Sequence, residues 1–224
     1  GGNTFFGCNG GYVTTQFYNG LANALSDSPV ALGGLQDNGV VLYQGSTTWS
    51  KVDGGDGGWC AIDPTNKNIQ YDEYVFLALK KSVNGSPFSD ITSGLPTGPN
   101  NANFIAPFVI SPSDPDVLYA GNKNVYKTIT GGNSWFAPNG GGNLNGSRVA
   151  SIGVSYTSAD TLMAGTGSPS FQLFASKNGG QSWTNVTGTL PNRYPTDIEF
   201  DPTNSSTVYA TFSGYGLPHV FMST

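Results

Sequence analysis

Two short motifs recur in phase along the chain, and their spacing constrains the fold more than any other feature. The first, which we call the Asp-Pro turn, reads apolar-x-Asp/Ser-Pro-polar-polar and precedes a β-type run. It stands at residues 61–66, 109–114 and 199–204, with weaker copies at 153–158 and 25–29. From Asp63 the equivalent position recurs at Ser111, Ser155 and Asp201, in steps of 48, 44 and 46 residues. A period of this length indicates one structural unit repeated along the chain.

The second motif, which we call the Gly-Trp turn, reads Ser/Thr-x-Asp/Asn-x-Gly-x-Ser/Thr-Trp. It fits residues 176–183 throughout and 128–135 with Thr130 in the Asp/Asn place, while 42–49 and 81–88 keep only the spacing and part of the turn. The polar side chains bond to backbone N–H groups of the turn, the Gly accepts positive φ, and the aromatic ring packs beneath. We therefore predict structural roles for Thr128, Gly132, Trp135, Ser176, Asn178, Gly180 and Trp183.

Together the motifs predict an all-β fold, a β-propeller of four-stranded antiparallel blades. Short runs of Val, Ile, Tyr, Phe and Thr lie between turn residues that include 32 Gly and 14 Pro, and no stretch has helical spacing. Four strands repeated at this period make one propeller blade. We expect a single domain of about five blades after an N-terminal strand at 1–15. The blades are expected at 16–55, 56–99, 100–146, 147–193 and 194–224.

The fifth blade of this pattern is partial, which leaves two expectations open. Either the chain is part of a larger ring, or Thr4–Cys8 completes the last blade by pairing with the strand at 218–224. A bare strand edge attracts pairing with other chains. If Thr4–Cys8 does not cover the edge, we expect a neighbouring chain to cover it by self-association.

At these motifs the chain resembles the Asp-box, or BNR-repeat, propellers, a group that contains sialidases, sortilin-type propellers and xyloglucanase-like proteins. The stretches 33–39, 54–59 and 71–74 are similar to sortilin-like secreted bacterial members. The resemblance covers nearly the whole chain and implies a fold more than a function, because the group hosts many activities. A sialidase of the usual type needs three arginines around the substrate carboxylate, and this chain has only Arg148 and Arg193.

Composition limits the partners that we expect. A net charge of −5 with nine Lys and Arg argues against nucleic acid. No run approaches the ~18 apolar residues of a membrane span. Sparse charge, at 10% of residues, is typical of a secreted, periplasmic or extracellular protein. Cys8 and Cys60 are either two isolated core residues or one disulfide, and zinc is not expected because His219 is the only histidine.

Propeller topology predicts that five acidic residues gather on one face. The turns between strands two and three share that face with the links between blades, while the two repeated motifs share the other. Asp37 and the pair Asp72 and Glu73 are placed near two–three turns, and Asp53 and Asp56 on the link between blades one and two. The aromatic residues beside them are Trp59, Tyr71 and Tyr74.

Three interpretations of this cluster stay open. Asp37, Asp53 and Asp56 could hold a hard cation such as calcium, two carboxylates could serve a glycoside hydrolase with the aromatics as sugar platforms, or the acids could simply hold tight turns. We favour a non-enzymatic secreted binding or scaffold propeller with a glycan, peptide or protein partner. The alternative is a xyloglucanase-like glycoside hydrolase. The predicted ligand-binding residues are Asp37, Asp56, Trp59, Asp72, Glu73 and Tyr74.

Overall fold

The computed structural model describes residues 2–8, 10–11, 14–19, 21–24, 29–216 and 218–224. Within these ranges the chain forms eighteen strands in five antiparallel sheets, and neighbours in each sheet are consecutive in sequence. The predicted all-β, propeller-like class is confirmed. No described segment forms a helix, so none could cross a membrane as one.

The first three sheets contain eleven of the strands. Sheet 1 contains β1 (Ala22–Asn23), β2 (Val30–Leu35), β3 (Gly39–Gln44) and β4 (Ser50–Asp53). Sheet 2 contains β5 (Cys60–Ile62), β6 (Ile69–Glu73), β7 (Leu79–Val83) and β8 (Ser89–Asp90). Sheet 3 contains β9 (Phe108–Ile110), β10 (Leu118–Gly121) and β11 (Val125–Thr128). A single bridge between Lys127 and Phe136 stands in the place of its fourth strand.

The last two sheets differ in completeness. Sheet 4 contains β12 (Val149–Ser155), β13 (Ser158–Thr166), β14 (Leu173–Ser176) and β15 (Thr184–Asn185). Sheet 5 contains β16 (Pro195–Phe200), β17 (Val208–Phe212) and β18 (Val220–Ser223). In the described part of the chain β18 pairs only with β17, so its outer edge has no neighbouring strand.

Each pair of adjacent sheets encloses one apolar cluster, and these four clusters form the core. Between sheets 1 and 2 the cluster contains Leu32, Val40 and Ile62. Between sheets 2 and 3 it contains Tyr71, Leu79, Phe108 and Leu118. The next two clusters are centred on Tyr119 and Ile152 and on Met163 and Ile198. The first strands of successive sheets also contact one another, β5 with β9, β9 with β12 and β12 with β16. They therefore lie on the side where the sheets approach each other.

The Asp-Pro turns owe their shape to the acidic side chain. Asp63 Oδ1 accepts hydrogen bonds from the backbone N–H groups of Thr65 at 2.7 Å and Asn66 at 3.0 Å. Asp201 repeats both bonds to the residues two and three positions on, at 2.8 and 3.0 Å. These local bonds favour the turn over continued strand. Residues 25–28 of the weak copy at 25–29 lie outside the described residues.

The Gly-Trp turns are held in a similar way. Ser176 Oγ accepts from the Gly180 N–H at 2.9 Å, and Asn178 Oδ1 accepts from the Ser182 N–H at 3.0 Å. In the turn at 128–135, threonine hydroxyls at the same two positions accept at 3.2 and 3.3 Å. A hydroxyl therefore replaces the Asn/Asp side chain without loss of the turn.

The aromatic residues that close the two best-matched turns, Trp135 and Trp183, pack against the preceding sheet. Trp135 belongs to the cluster between sheets 2 and 3, and Trp183 packs on the cluster between sheets 3 and 4. Trp49 follows the weaker motif of sheet 1, where it is 37% exposed and packs on Phe17 and Tyr43 at 5.9 and 5.1 Å between ring centroids. The predicted equivalence of Trp135 and Trp183 holds at the level of sheet packing.

The predicted pairing of Thr4–Cys8 with the strand at 218–224 is wrong. Residues 2–8, 10–11 and 14–16 contain no strand, and Phe5 and Phe6 are 89% and 82% exposed. The segment that follows is bound to sheet 1 instead, because Tyr18 donates its backbone N–H to Gly34 O at 3.1 Å. Both cysteines are free, Cys8 exposed and Cys60 half-buried, so neither the disulfide nor a core position for Cys8 is found.

Candidate ligand-binding site

Direct backbone contact between glycines brings the predicted acidic cluster together. A Cβ atom on Gly34 would lie 2.1 Å from the carbonyl oxygen of Gly58, so sheets 1 and 2 approach at a distance that no side chain permits. The link between the sheets is bound on both sides, because Gly57 donates its N–H to Leu35 O at 2.9 Å and Gly58 to Glu73 O at 2.7 Å. The link is therefore fixed against the two–three turns that carry the other acids.

Asp56 holds the turn that presents Asp37. Its Oδ1 atom accepts from the backbone N–H of Asp37 at 2.9 Å and from the Tyr18 hydroxyl at 3.3 Å. Asp37 has a φ of 59°, in the left-handed region, and it is exposed. Desolvation and then the charge of Asp56 raise the pKa of Tyr18. Of this pair, Asp37 is the carboxylate open to solvent.

Asp53, Asp72 and Lys80 form a second charged group beneath the link. Asp53 makes an ion pair with Lys80 and accepts from the Gly54 N–H at 2.8 Å. Partial burial acts to raise the pKa of Asp53, but the hydrogen bond from Lys80 holds it below its ordinary value. Lys80 lies directly opposite Asp72 in the pairing of β6 with β7.

Asp72 is fully buried, and in the described part of the chain neither of its carboxylate oxygens has a hydrogen-bond partner. Burial, followed by the charge of Asp53, raises the pKa of Asp72 to about 8. An ionised carboxylate in this position would lack hydrogen-bond donors to replace the water that it loses on burial. The group therefore carries a proton at neutral pH.

Glu73 is also fully buried, but its carboxylate is saturated by backbone donors. Oε1 accepts from the N–H groups of Leu77 and Ala106, both at 3.0 Å, and Oε2 accepts from the Trp59 N–H at 3.4 Å. Burial raises the pKa of Glu73 to about 8, against the lowering effect of these donors. Glu73 joins three backbone segments and has no surface to offer a ligand.

The exposed part of the site consists mainly of aromatic rings. Tyr74 is 41% exposed and lies over Gly55, where an added Cβ would meet its ring at 2.4 Å. Phe104 is 45% exposed and makes edge contacts with the rings of Phe76 and Tyr18, at 5.3 and 6.3 Å between centroids. Trp59 is half-buried and packs on the cluster between sheets 2 and 3.

We call Tyr18, Asp37, Asp56, Tyr74 and Phe104 the aromatic–acidic face. Of its members, sequence analysis named Asp37, Asp56 and Tyr74 and missed Tyr18 and Phe104. It also missed Lys80, whose position opposite Asp72 follows from the register of the β6–β7 hairpin. Tyr18 and Phe104 belong to no motif, so no local signal could have found them.

The three residues predicted to bind calcium do not form a cation site. Asp53 is engaged by Lys80 and Gly54, and Asp56 Oδ1 by the Asp37 N–H. In the part of the chain that the structure describes, no three His, Cys, Asp or Glu side chains are placed to hold a metal ion. Calcium takes six to eight oxygen ligands, and this donor set does not fit it.

Comparisons with known proteins identify a fold and no family. No family model and no curated protein sequence matches the chain. Among solved structures it is similar to an ancestral GH74 enzyme, with a TM-score of 0.68 and 21% identity over 86% of this chain. It is also similar to the GH74 xyloglucanase from Xanthomonas campestris, with a TM-score of 0.68 and 16% identity over 92% of this chain. A third neighbour is a chain of the outer coat vertex of COPII on membranes, with a TM-score of 0.67 and 11% identity over 93%.

The chain spans only part of each neighbour. It covers 28% of the ancestral GH74 enzyme, 35% of the xyloglucanase and 60% of the COPII chain. One neighbour assembles in a coat and the other two are enzymes, so the shared fold does not choose between scaffold and catalyst. The likeness establishes the propeller-like arrangement of sheets.

Proposed function

We propose that this chain is a non-enzymatic binding module, and that the aromatic–acidic face takes a glycan. The observation that carries the proposal is the exposure of two rings, Tyr74 at 41% and Phe104 at 45%, in a group that also exposes the carboxylate of Asp37. Aromatic rings offer large apolar faces at low entropic cost, and carboxylates accept hydrogen bonds from hydroxyl groups. A sugar ring presents both kinds of surface.

The fixed positions of these rings favour binding. Phe104 is held by the ring of Phe76, whose backbone N–H also donates to Phe104 O at 2.9 Å. Tyr74 is held over Gly55, with Lys80 Nζ 6.0 Å from its ring centroid. A preformed surface loses little freedom when a ligand binds, so more of the contact energy is available for affinity.

The first ligands to test are xyloglucan oligosaccharides, because one structural neighbour is a xyloglucanase. Isothermal titration of the chain with these and with unbranched cello-oligosaccharides measures binding directly. Tyr74→Ala should weaken binding about tenfold or more, since it removes a stacking ring. Tyr209→Ala is the matched control, because Tyr209 is 37% exposed on sheet 5. Equal effects of the two substitutions would contradict the proposal, as would an absence of binding to every glycan tested.

Glycoside hydrolysis is the second candidate, and one observation favours it. The carboxyl groups of Asp53 and Asp72 have pKa values displaced in opposite directions, as acid and base pairs require. Hydrolases hold their two carboxyls ~5–5.5 or ~6.5–9.5 Å apart across the substrate. Asp72 is instead 0% exposed, so its carboxyl is not open to a substrate. Release of reducing ends that Asp72→Asn abolishes would favour hydrolysis over binding alone.

A further inference from the structure

The link between sheets 2 and 3 extends the aromatic–acidic face toward sheet 4. Gly98 donates its backbone N–H to Phe76 O at 3.0 Å, and Phe76 donates its own N–H to Phe104 O at 2.9 Å. Both ends of the segment 98–104 are therefore bound to one residue, which folds the segment into a compact loop. Pro99, the second residue of this loop, is consequently held near the exposed ring of Phe104.

Arg148 reaches this loop from the link between sheets 3 and 4. It is half-buried, and its Nη2 atom donates a hydrogen bond to Pro99 O. The two links are bound together a second time, because Asn103 Nδ2 donates to Val149 O at 2.9 Å. These contacts place the guanidinium group of Arg148 beside the loop that carries Phe104.

Arg148 has no carboxylate partner among the residues that the structure describes. The segments around it, 97–106, 143–147 and 167–172, contain no Asp or Glu. The chain has 14 acidic and nine cationic side chains, so a region without acids is unusual in it and leaves a local positive charge. A guanidinium group carries more N–H donors than its bond to Pro99 uses, and the fork that remains fits a carboxylate.

An aromatic ring also lies on the other side of Arg148. The carbonyl oxygen of Arg148 accepts a hydrogen bond from the Gly167 N–H at 2.7 Å. A Cβ atom added to Gly167 would lie 3.0 Å from the ring of Tyr194, which packs on Phe171 at 6.4 Å between ring centroids. Arg148 therefore lies between the loop of Phe104 and the ring of Tyr194.

Charge is divided along this surface. Asp37 exposes its carboxylate at the end formed by sheet 1, whereas Arg148 lies at the end near sheet 4. An anionic group on a ligand would be repelled by Asp37 and attracted by Arg148. The ligand that fits has a neutral part, which covers the rings of Tyr74 and Phe104, and an anionic group at Arg148.

We propose that the glycan taken by the aromatic–acidic face carries a uronic acid residue, whose carboxylate pairs with Arg148. The proposal rests on the proposed function, because the neutral sugars of the same ligand lie on Tyr74 and Phe104. A bidentate pair with a guanidinium is both charged and directional. The carboxylate therefore determines which end of the glycan points toward sheet 4, and Arg148 determines specificity for an acidic glycan.

The test compares two ligands that differ only in charge. One is an oligosaccharide with a single glucuronic acid residue, and the other is the same oligosaccharide after reduction of that carboxyl group to an alcohol. Isothermal titration at low salt should show about tenfold tighter binding of the acidic ligand, since charge-assisted hydrogen bonds are stronger than neutral ones. This preference should decline as the NaCl concentration rises.

Arg148→Gln should bind the two ligands equally, with the affinity that wild type has for the reduced ligand. Arg148→Lys keeps the charge without the fork and should show a preference between those of wild type and Arg148→Gln. Lys177→Gln is the matched control, because it removes one exposed positive charge from the Gly-Trp turn of sheet 4. It should keep the tenfold preference.

The outcomes separate this proposal from the proposed function. Equal affinity of wild type for the two ligands, with both weakened by Tyr74→Ala, would overturn the role of Arg148 and leave glycan binding in place. An absence of binding to either ligand would overturn both. Free glucuronate that binds as tightly as the acidic oligosaccharide would indicate an anion site without a glycan, and an equal loss of preference in Lys177→Gln would assign the effect to net charge. Either result would overturn the proposal.

Discussion

Trp135 donates its indole N–H to the carbonyl oxygen of Ile91 at 2.7 Å, and this bond ties sheet 3 to sheet 2. Trp183 occupies the equivalent place one sheet later, but its buried Nε1 has no hydrogen-bond partner among the described residues. The reason lies in the segment beneath each ring. Residues 90–96 form a compact turn under Trp135, whereas residues 138–146 under Trp183 are rich in glycine and asparagine. Repeats with the same sequence motif therefore differ in their hydrogen bonding.

The two tryptophans should respond differently to loss of the indole N–H. Trp135→Phe leaves the Ile91 carbonyl without its donor and should lower the free energy of unfolding by about 1–3 kcal/mol more than Trp183→Phe does. Urea denaturation of both variants measures the difference. Equal destabilisation would mean that the Trp135–Ile91 bond contributes nothing beyond ring packing.

Substitution of Glu73 should lower the free energy of unfolding more than substitution of any other acidic residue. Glu73→Ala leaves the buried N–H groups of Trp59, Leu77 and Ala106 without an acceptor, and we expect a loss of about 3 kcal/mol or more. Glu73→Gln keeps one acceptor oxygen and should lose less. Thermal and urea unfolding of both variants checks this order, which a smaller loss for alanine would contradict.

Asp72 should make the protein less stable as pH rises. Its pKa is about 8 in the folded protein and 3.8 for the ordinary group. Between these values the folded protein holds a proton that the unfolded chain has lost, so the free energy of unfolding falls as pH increases. The raised pKa of Glu73 lowers stability with rising pH in the same way and over a similar pH range. The pKa of Asp53 is lowered, so its effect on stability is confined to pH values near and below the ordinary pKa of 3.8.

Asp72→Asn should remove part of this pH dependence. Between pH 5 and pH 8 the free energy of unfolding of the variant should rise by more than about 1 kcal/mol relative to that of wild type. The reason is that its neutral amide does not ionise at either pH, whereas the wild-type carboxyl does so in the unfolded chain. Urea unfolding at the two pH values measures the gain, with Asp90→Asn as an exposed control on the same sheet. An identical change with pH in wild type and Asp72→Asn would show that Asp72 is ionised when folded.

Gly34 should tolerate no side chain. Gly34→Ala forces apart the backbones of sheets 1 and 2, which should cost about 2 kcal/mol or more and disturb the aromatic–acidic face. Gly54→Ala is the control, because an added Cβ there meets nothing within 4 Å and the residue lies on the link that Gly34 contacts. If both variants have the Tm of wild type, the close approach at Gly34 does not exist in solution.

The sheets could be predicted because their signals are local. Asp63 and Ser176 form hydrogen bonds with residues only two to four positions away, so the sequence around each turn contains the groups that stabilise it. The grouping of Asp37 with Asp56 could also be expected, since both lie at one end of neighbouring strands.

The details of the site depend on contacts between residues that are far apart in the sequence and lie outside the repeated motifs. Tyr18 reaches Asp56 from 38 positions away, and Ala106 reaches Glu73 from 33. The position of Lys80 could not be predicted because it depends on hairpin register. The pairing of Thr4–Cys8 is absent, and it is the later segment around Tyr18 that binds to sheet 1. Whether a carboxylate is exposed, as in Asp37, or buried, as in Asp72, follows from such contacts and not from residue type.

Binding of a glycan by the exposed rings of the aromatic–acidic face can be tested with one pair of phenylalanine substitutions. Phe104 and Phe136 are both 45% exposed, but only Phe104 lies on this face. Isothermal titration with the tightest-binding oligosaccharide compares Phe104→Ala with Phe136→Ala. We predict that Phe104→Ala weakens binding about tenfold or more while Phe136→Ala binds as wild type does. Unchanged affinity in Phe104→Ala, with the fold intact by circular dichroism, would show that the aromatic–acidic face does not bind the glycan.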